Sequence, residues 1–381
     1  MAGRAVVDDG LMIDLSLMKG IHVDAKGKTV RAQGGVTWGD FDRETLLHGL
    51  ATTGGIVIST GIAGVTLGGG LGWLMGKYGL VSDNLLSVDL VTADGRVLRA
   101  SEEEHSDLFW GLRGGGGNFG VVTALEYRLH LVEAVMTGGL IVHALDGASD
   151  LMRFYRDVIA SVPDELTVYM VMTPSPDGSG TKVAALAACH CGPASDGEAA
   201  LRPLKDFGSP VMDVMGPMPY HQINGMLDMG FPRGALNYCK SRFLAKFTDD
   251  AIDTMVECFA DYPGGMHGGG MVLEHVHGAA TRRSVDATAF PFRDDALSLL
   301  ILAEWEDPSD SDRRIAWARE AYTRMEPFMA AGGYVNYLDD DEVEGAVAAA
   351  YGPNYQRLRA LKSKYDPANL FHLHQNILPS P

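Results

Sequence analysis

The sequence predicts an α+β protein in two parts: an opening part of short strands and glycine-rich turns, and a middle part built on a mostly antiparallel sheet covered by helices. Three observations carry this reading. The chain has 381 residues, too many for one ordinary hydrophobic core. Up to about residue 130 it is rich in glycine and β-branched residues in short alternating runs. Over residues 131–332 strand-like runs alternate with helical patterns, and residues 333–381 form a closing segment.

Each element has its own signal. Residues 11–15, 22–24 and 29–33 alternate as strands do. Thr37 followed by Asp40 reads as a capping box opening a helix through Trp38, Phe41 and Leu46 to His48, with Gly49 ending it. Residues 85–92 and 96–100 flank Ala93-Asp94-Gly95, a hairpin turn. Residues 107–113 read as a short helix and 121–129 as a strand. In the middle part, 167–172, 182–189, 238–245, 271–277 and 297–305 read as strands, and 197–207, 249–261 and 312–329 as helices. Residues 173–180 and 264–270 are loops. This inventory suits a single mostly antiparallel sheet with helices against it. The closing segment holds a strand over 333–338, an acidic run over 339–344 expected on a solvated face or helix N-terminus, and a helix over 355–364.

Composition excludes several functions. A net charge of -18 repels nucleic acid and anionic membranes, so neither is expected as a partner. No apolar run reaches the roughly 18 residues of a membrane span. The opening residues through Asp9 lack a signal-peptide apolar region, and a cytoplasmic location is expected. The four cysteines are irregularly spaced, which argues against a disulfide framework. Cys189-His190-Cys191 lacks the second pair that a zinc site needs. His275 with His277, and His372 with His374, would each share one face of a strand, but no third ligand stands near either pair, and no metal is expected.

Several motifs fail on context. Gly115-Gly116-Gly117-Asn118-Phe119-Gly120 spells GxGxxG, but it follows a helix and precedes a strand, the reverse of a dinucleotide-binding turn. Gly76-Lys77 resembles the end of a P-loop, yet Tyr78 stands where a magnesium-binding hydroxyl belongs. Neither GxSxG nor HExxH occurs. Residues 60–72 combine hydroxyls with glycines over a length too great for a hairpin, and a ligand-contacting backbone and a structural Ω-loop explain them equally well. In Tyr334-Val335-Asn336-Tyr337 a strand would place Tyr334 and Asn336 on one face and Tyr337 on the other. Core aromatics are the plain alternative.

Taken together, residues 61–72, Tyr78-Gly79-Leu80 with Asp83-Asn84, 91–97, Asp107-Leu108-Phe109-Trp110 and 113–120 resemble the berberine-bridge-enzyme-like FAD-linked oxidases of the vanillyl-alcohol-oxidase type. So do Tyr334–Tyr337, Tyr351-Gly352, Tyr365-Asp366-Pro367, Asn369-Leu370-Phe371 and Gln375-Asn376-Ile377 at the other end. The resemblance implies a split FAD domain, residues 1–130 joined by 333–381, with 131–332 as a substrate domain whose sheet roofs the isoalloxazine. Thr60, Gly61, Ala63, Gly64, Thr66, Gly69 and Gly70 would then lie along the flavin and its ribityl phosphate, Gly117, Gly120 and Val122 toward the adenosine, and Asn376 and Tyr337 near the ring.

The implied reaction is hydride transfer to flavin N5 from a carbon bearing a hydroxyl or amine, in a sugar or secondary metabolite, with oxygen or another acceptor taking the electrons. Tyr337 is the expected base and Tyr334 the second choice. A phenol of ordinary pKa near 10 needs a positive charge or strong donors beside it for that role. Tyr238, Glu274 and His277 are the candidate substrate contacts. Cys239 stands where relatives often carry an aromatic residue, and His277 where glycine is expected. Two departures stand out. Ala63 occupies the place of a cysteine tether and cannot form a thioether. In relatives a segment with a flavin-linked histidine immediately precedes the stretch matching Gly3-Arg4-Ala5-Val6, so three expectations follow: Met1 is an internal methionine and the start lies upstream, which the retained motifs suit; the chain is truncated against the family and binds FAD non-covalently; or it no longer binds FAD. The alternatives are a non-catalytic remnant without flavin, and a dehydrogenase that passes electrons to an acceptor other than oxygen.

Overall fold

The computed structural model describes residue 6 and residues 8–175, 177–264, 268–339, 345–373 and 375–380. The start of the chain, Asp340 to Glu344 of the acidic run, and His374 lie outside the described residues.

Two antiparallel sheets organise the chain. The first has five strands in the order Ile21–Asp24, Thr29–Gln33, Val121–Arg128, Leu85–Val91, Val97–Ser101. Its core gathers Trp38 and Phe41 from the helix Trp38–Leu46 and Tyr127 from the sheet, with edge-on rings at 5.2 and 5.4 Å. Thr37 caps that helix by accepting the Asp40 N–H. Residues from the far end of the chain, Val335, Tyr351, Leu358, Leu361, Tyr365 and Ile377, complete the same core.

The second sheet has eight strands, with Leu166–Pro174, Gly270–Val276 and Ala296–Trp305 as central neighbours and Leu236–Phe243 at one edge. Alternation divides its side chains. Val168, Met170, Leu273, Leu299 and Ile301 pack under the helices Ala148–Ile159, Asp249–Ala260 and Ser311–Met325. Tyr169, Val171, Ala187 and Cys189 face the first part of the chain, meeting Leu71, Trp73, Leu74 and Met75 in a shared apolar layer. A buried bidentate ion pair, Arg293 to both oxygens of Asp83 at 2.8 and 2.9 Å, ties the two parts together.

Two expected strands are absent. Residues 11–15 pair with no strand, and Leu11, Met12 and Ile13 are exposed. Residues 333–338 hold a 3-10 turn, Val335–Tyr337, instead, and among the described residues no strand pairs with them. Strand Val135–Ala144 and helix Ala148–Ile159 were not read from the sequence; Gly138-Gly139 interrupts the apolar pattern of the strand.

Candidate active site

The turn at Val335–Tyr337 does what a strand could not: it gathers Tyr334, Asn336 and Tyr337 into one cluster. Tyr334 is buried, and its hydroxyl accepts the Gly70 N–H at 3.1 Å and an Asn336 amide N–H at 2.8 Å. Tyr337 donates its hydroxyl proton to Glu274 Oε1 at 3.1 Å, and the two tyrosine rings meet edge-on at 4.8 Å. Glu274 lies opposite Ser298 on the next strand and Tyr169 on the other side. Ser298 Oγ lies beside Glu274 on the next strand, and among the described residues Ser241 Oγ and the Tyr169 hydroxyl are buried around this pair without a hydrogen-bond partner. Burial raises Glu274 to about 7, against the opposing pull of the Tyr337 and Ser298 hydrogen bonds. Burial and then the Glu274 charge hold Tyr337 well above the ordinary phenol value.

The glycine-rich run at 60–72 divides in two. Thr60, Gly61 and Gly64 are exposed, Ala63 is half-buried, and a methyl group added at Gly61 or Gly64 would meet nothing within 4 Å. Helix Ile62–Leu67 begins there, leaving first-turn N–H groups without helical partners. Gly69 and Gly70 have positive φ, and side chains there would strike Phe290 and Val81. These two serve packing. The expectation for Thr66 needs correction at its side chain: the hydroxyl is spent on Ile62 O and Tyr127, deep in the five-stranded core. The Val122 side chain is in that core as well, and its backbone lies in the sheet opposite Leu90. Gly117 is half-buried, and Gly120 sits so close to Val91 O that a Cβ there would lie 2.6 Å from it. Asn376 is half-buried, and its Oδ1 is a buried acceptor without a partner among the described residues.

The tail is buckled onto the second glycine segment. Asn118 donates to Gly115 O and Gln375 O and accepts from Ile377 N. Lys362, fully buried, reaches Asn118 O, Phe371 O and Asp366 at 2.7–2.8 Å. Asp366 in turn accepts the Leu370 and Phe371 N–H groups. This explains physically why Asp366, Asn369 (φ 53) and Phe371 stand together at the end of the chain.

Two candidate substrate contacts are corrected. Tyr238 faces the helix layer, where Arg319 donates to its hydroxyl at 3.1 Å. One position along, Cys239 faces the site and packs with Leu300, Leu302, Val272, Phe231 and Tyr337. His277 stacks on His275 at 4.7 Å and sits against Gly76 and Thr167, away from that cluster. Burial pushes it down to about 4. His275 pairs with Asp295 at 2.9 Å, and among the described residues no three His, Cys, Asp or Glu side chains are placed to hold a metal. A cavity of about 370 Å³ opens beside Thr37, Ile58, Ser59, Asp228, Phe231 and Arg233. Phe231 is common to it and to the apolar cluster at Tyr337.

Comparison with known proteins follows the same outline. Residues 1–101 match the FAD binding domain family and residues 333–378 the berberine and berberine-like family. An FAD-linked oxidoreductase of Dictyostelium discoideum is 30% identical over 99% of this chain and 81% of its own length. The (R)-6-hydroxynicotine oxidase of Paenarthrobacter nicotinovorans is 32% identical over 99% of this chain and 83% of its own length. The crystal structure of 6-hydroxy-D-nicotine oxidase from Arthrobacter nicotinovorans superposes with a TM-score of 0.86 at 30% identity, covering 99% of this chain and 84% of that one. A berberine-bridge-like protein of Physcomitrella patens shares the fold at 22% identity, with a TM-score of 0.83 over 97% of this chain and 81% of that one.

Proposed function

The chain belongs to the berberine-bridge-enzyme-like FAD-linked oxidoreductases, and we propose that it oxidises a carbon bearing a hydroxyl or amine in a small organic molecule, with Tyr337 and Glu274 together handling the proton. The 3.1 Å hydrogen bond between these two side chains is the observation that carries the reading. Bound FAD supplies the two-electron acceptor for the hydride, with oxygen or another acceptor beyond it. The residues suit such a group. Gly61 and Gly64 leave open space over exposed backbone, Ala63 presents only a methyl group, and Asn376 Oδ1 is an acceptor awaiting a donor.

Removal of a hydride from carbon requires removal of a proton from its heteroatom, and a base serves best when its pKa lies near the working pH. Tyr337 alone is poorly suited, being held well above 10. Glu274, at about 7, is well matched. The phenol passes its proton to Glu274 as it takes one from the substrate, so the base is the pair rather than the tyrosine. Tyr334 acts by position: its hydroxyl fixes the Gly70 turn beneath the site.

The test is flavin reduction followed by stopped flow in FAD-loaded protein. Glu274→Gln and Tyr337→Phe should retain the flavin and slow its reduction by roughly 100-fold or more, the scale of general-base catalysis. Unchanged reduction in both variants rules the reading out.

A further inference from the structure

The chain has a net charge of -18, yet the charged side chains lining one of its cavities, Lys28 and Arg128, are both cations. This cavity, of about 540 Å³, opens where the turn before strand Thr29–Gln33 meets the end of strand Val121–Arg128. Thr29 is the ladder partner of Arg128, which puts Lys28 one residue away from it. Both cations are exposed, and among the described residues neither forms an ion pair. The acids around them are occupied. Asp24 Oδ1 accepts the Lys26 and Gly27 N–H groups of the same turn, Glu126 pairs with Arg99, and Glu165 pairs with Lys77 at 3.6 Å. Lys28 has a φ of 53, in the left-handed region that favours glycine or asparagine, so a lysine is held there against backbone preference. The remaining wall is apolar and aromatic. Leu86 is half-buried, Leu131 is 65% exposed, and Tyr78 stacks on His130 at 4.0 Å. Asn84 donates to Tyr78 O and Leu80 O, so its Oδ1 is the acceptor and His130 Nε2 the donor in their 2.7 Å bond. The neutral ring keeps a lone pair on Nδ1. Burial first, then Arg128, Lys28 and Lys77, push His130 down to about 4.

We propose that this cavity binds a small organic anion, an acidic head group on an apolar stem, with Lys28 and Arg128 on the head and Leu86 and Leu131 along the stem. The site shares no residue with the Tyr337–Glu274 cluster, and the inference does not rest on the proposed function. Neighbouring like charges repel, and a carboxylate or phosphate between them replaces that repulsion with charge-assisted hydrogen bonds. The acidic surface does not prevent this, because exposed charges more than about 10 Å away are screened at ordinary salt and the local pair decides. An alkylammonium would meet two like charges. A neutral alcohol would leave both cations to water, and a bare inorganic ion would leave the leucines uncovered. Binding is also linked to protons. An anion beside Lys28 and Arg128 offsets the charges that hold His130 neutral, so the ring takes up a proton more readily, and affinity falls as pH rises through the pKa of the occupied state.

The experiment is calorimetric titration of the full chain with hexanoate, hexyl phosphate, hexan-1-ol, hexylammonium and inorganic phosphate. Hexanoate or hexyl phosphate should bind at least about 10-fold tighter than the other three, and the tighter of the two identifies the head group. Lys28→Asn and Arg128→Gln should each weaken that binding by about 5-fold or more while leaving Tm unchanged, since asparagine suits the left-handed turn and both side chains are exposed. In the parent chain, isotopically labelled at histidine, the anion should raise the His130 titration from about 4, and hexan-1-ol should not. Alcohol or ammonium binding as tight as that of the anions, equal binding of inorganic phosphate, no heat with either organic anion, or full affinity in both variants would each overturn the proposal. A His130 titration unmoved by the bound anion would place the ligand elsewhere and overturn it as well.

Discussion

At the residue scale, two carboxylates, Glu274 and Glu304, are buried in the eight-stranded sheet. Glu274 and Glu304 are both raised from 4.5 to about 7, chiefly by burial. If Glu274 is the final proton acceptor, kcat/KM should rise with pH through about 7, and that limb should vanish in Glu274→Gln; a pH–rate profile of flavin reduction measures it. The stability effect has the opposite sense. Across the window from 4.5 to about 7 the folded form holds protons that the unfolded chain has released. Stability therefore falls as pH climbs through that window. Urea midpoints measured near pH 5 and pH 8 should differ less in Glu304→Gln than in the parent. Residue identity was only partly legible in the sequence. Tyr238 and Cys239 are adjacent, and which of them meets the site depends on the strand's facing, set by its pairing with Leu302 and Ala303. The pairing of Tyr337 with Glu274 joins elements 63 residues apart, a contact that local pattern does not encode.

At the scale of elements, the two halves of the first glycine run should respond oppositely to the same substitution. Gly64→Ala, in the short helix Ile62–Leu67 with open space around it, should be neutral or stabilising by up to about 1 kcal/mol while weakening FAD. Gly72→Ala would place a Cβ 1.8 Å from Gly54 O and should cost about 2 kcal/mol or more. Thermal unfolding of the flavin-free proteins together with FAD titration checks both. The tail buckle gives a third expectation. Lys362→Met strands Asp366 in a fully buried site and should destabilise by about 3–5 kcal/mol. Elements with strong periodicity, such as Thr29–Gln33 and Asp249–Ala260, were legible because each buries one face and its pattern reports it. Residues 11–15 and 333–338 carry strand-like patterns too, but a strand exists only where another offers hydrogen bonds, and sequence alternation is silent on the neighbour.

The whole molecule is two sheets joined through an apolar layer and the Asp83–Arg293 clamp. A ligand that binds this arrangement and not the unfolded chain stabilises it by mass action, about 2.7 kcal/mol at 100 times its Kd. FAD should accordingly raise Tm by several degrees, and a scan with and without FAD measures it. The split organisation was legible because the two ends of the chain carry motifs in matching order. The sheet face on which chemistry would occur was not, since it is decided by helices that cover the opposite side.

The buckle at Asn118 and Lys362 has a consequence in time. Its hydrogen bonds link residues 244 and 259 positions apart, so the first part of the chain emerges during synthesis well before the residues that close it. The eight-stranded sheet, formed by residues between them, can assemble first, and long-range closures of this kind are slow. Closure of the Gly115–Asn118 segment against the tail is therefore expected to follow assembly of the sheet, and binding there that needs the tail would follow in turn; refolding monitored alongside FAD binding checks the order.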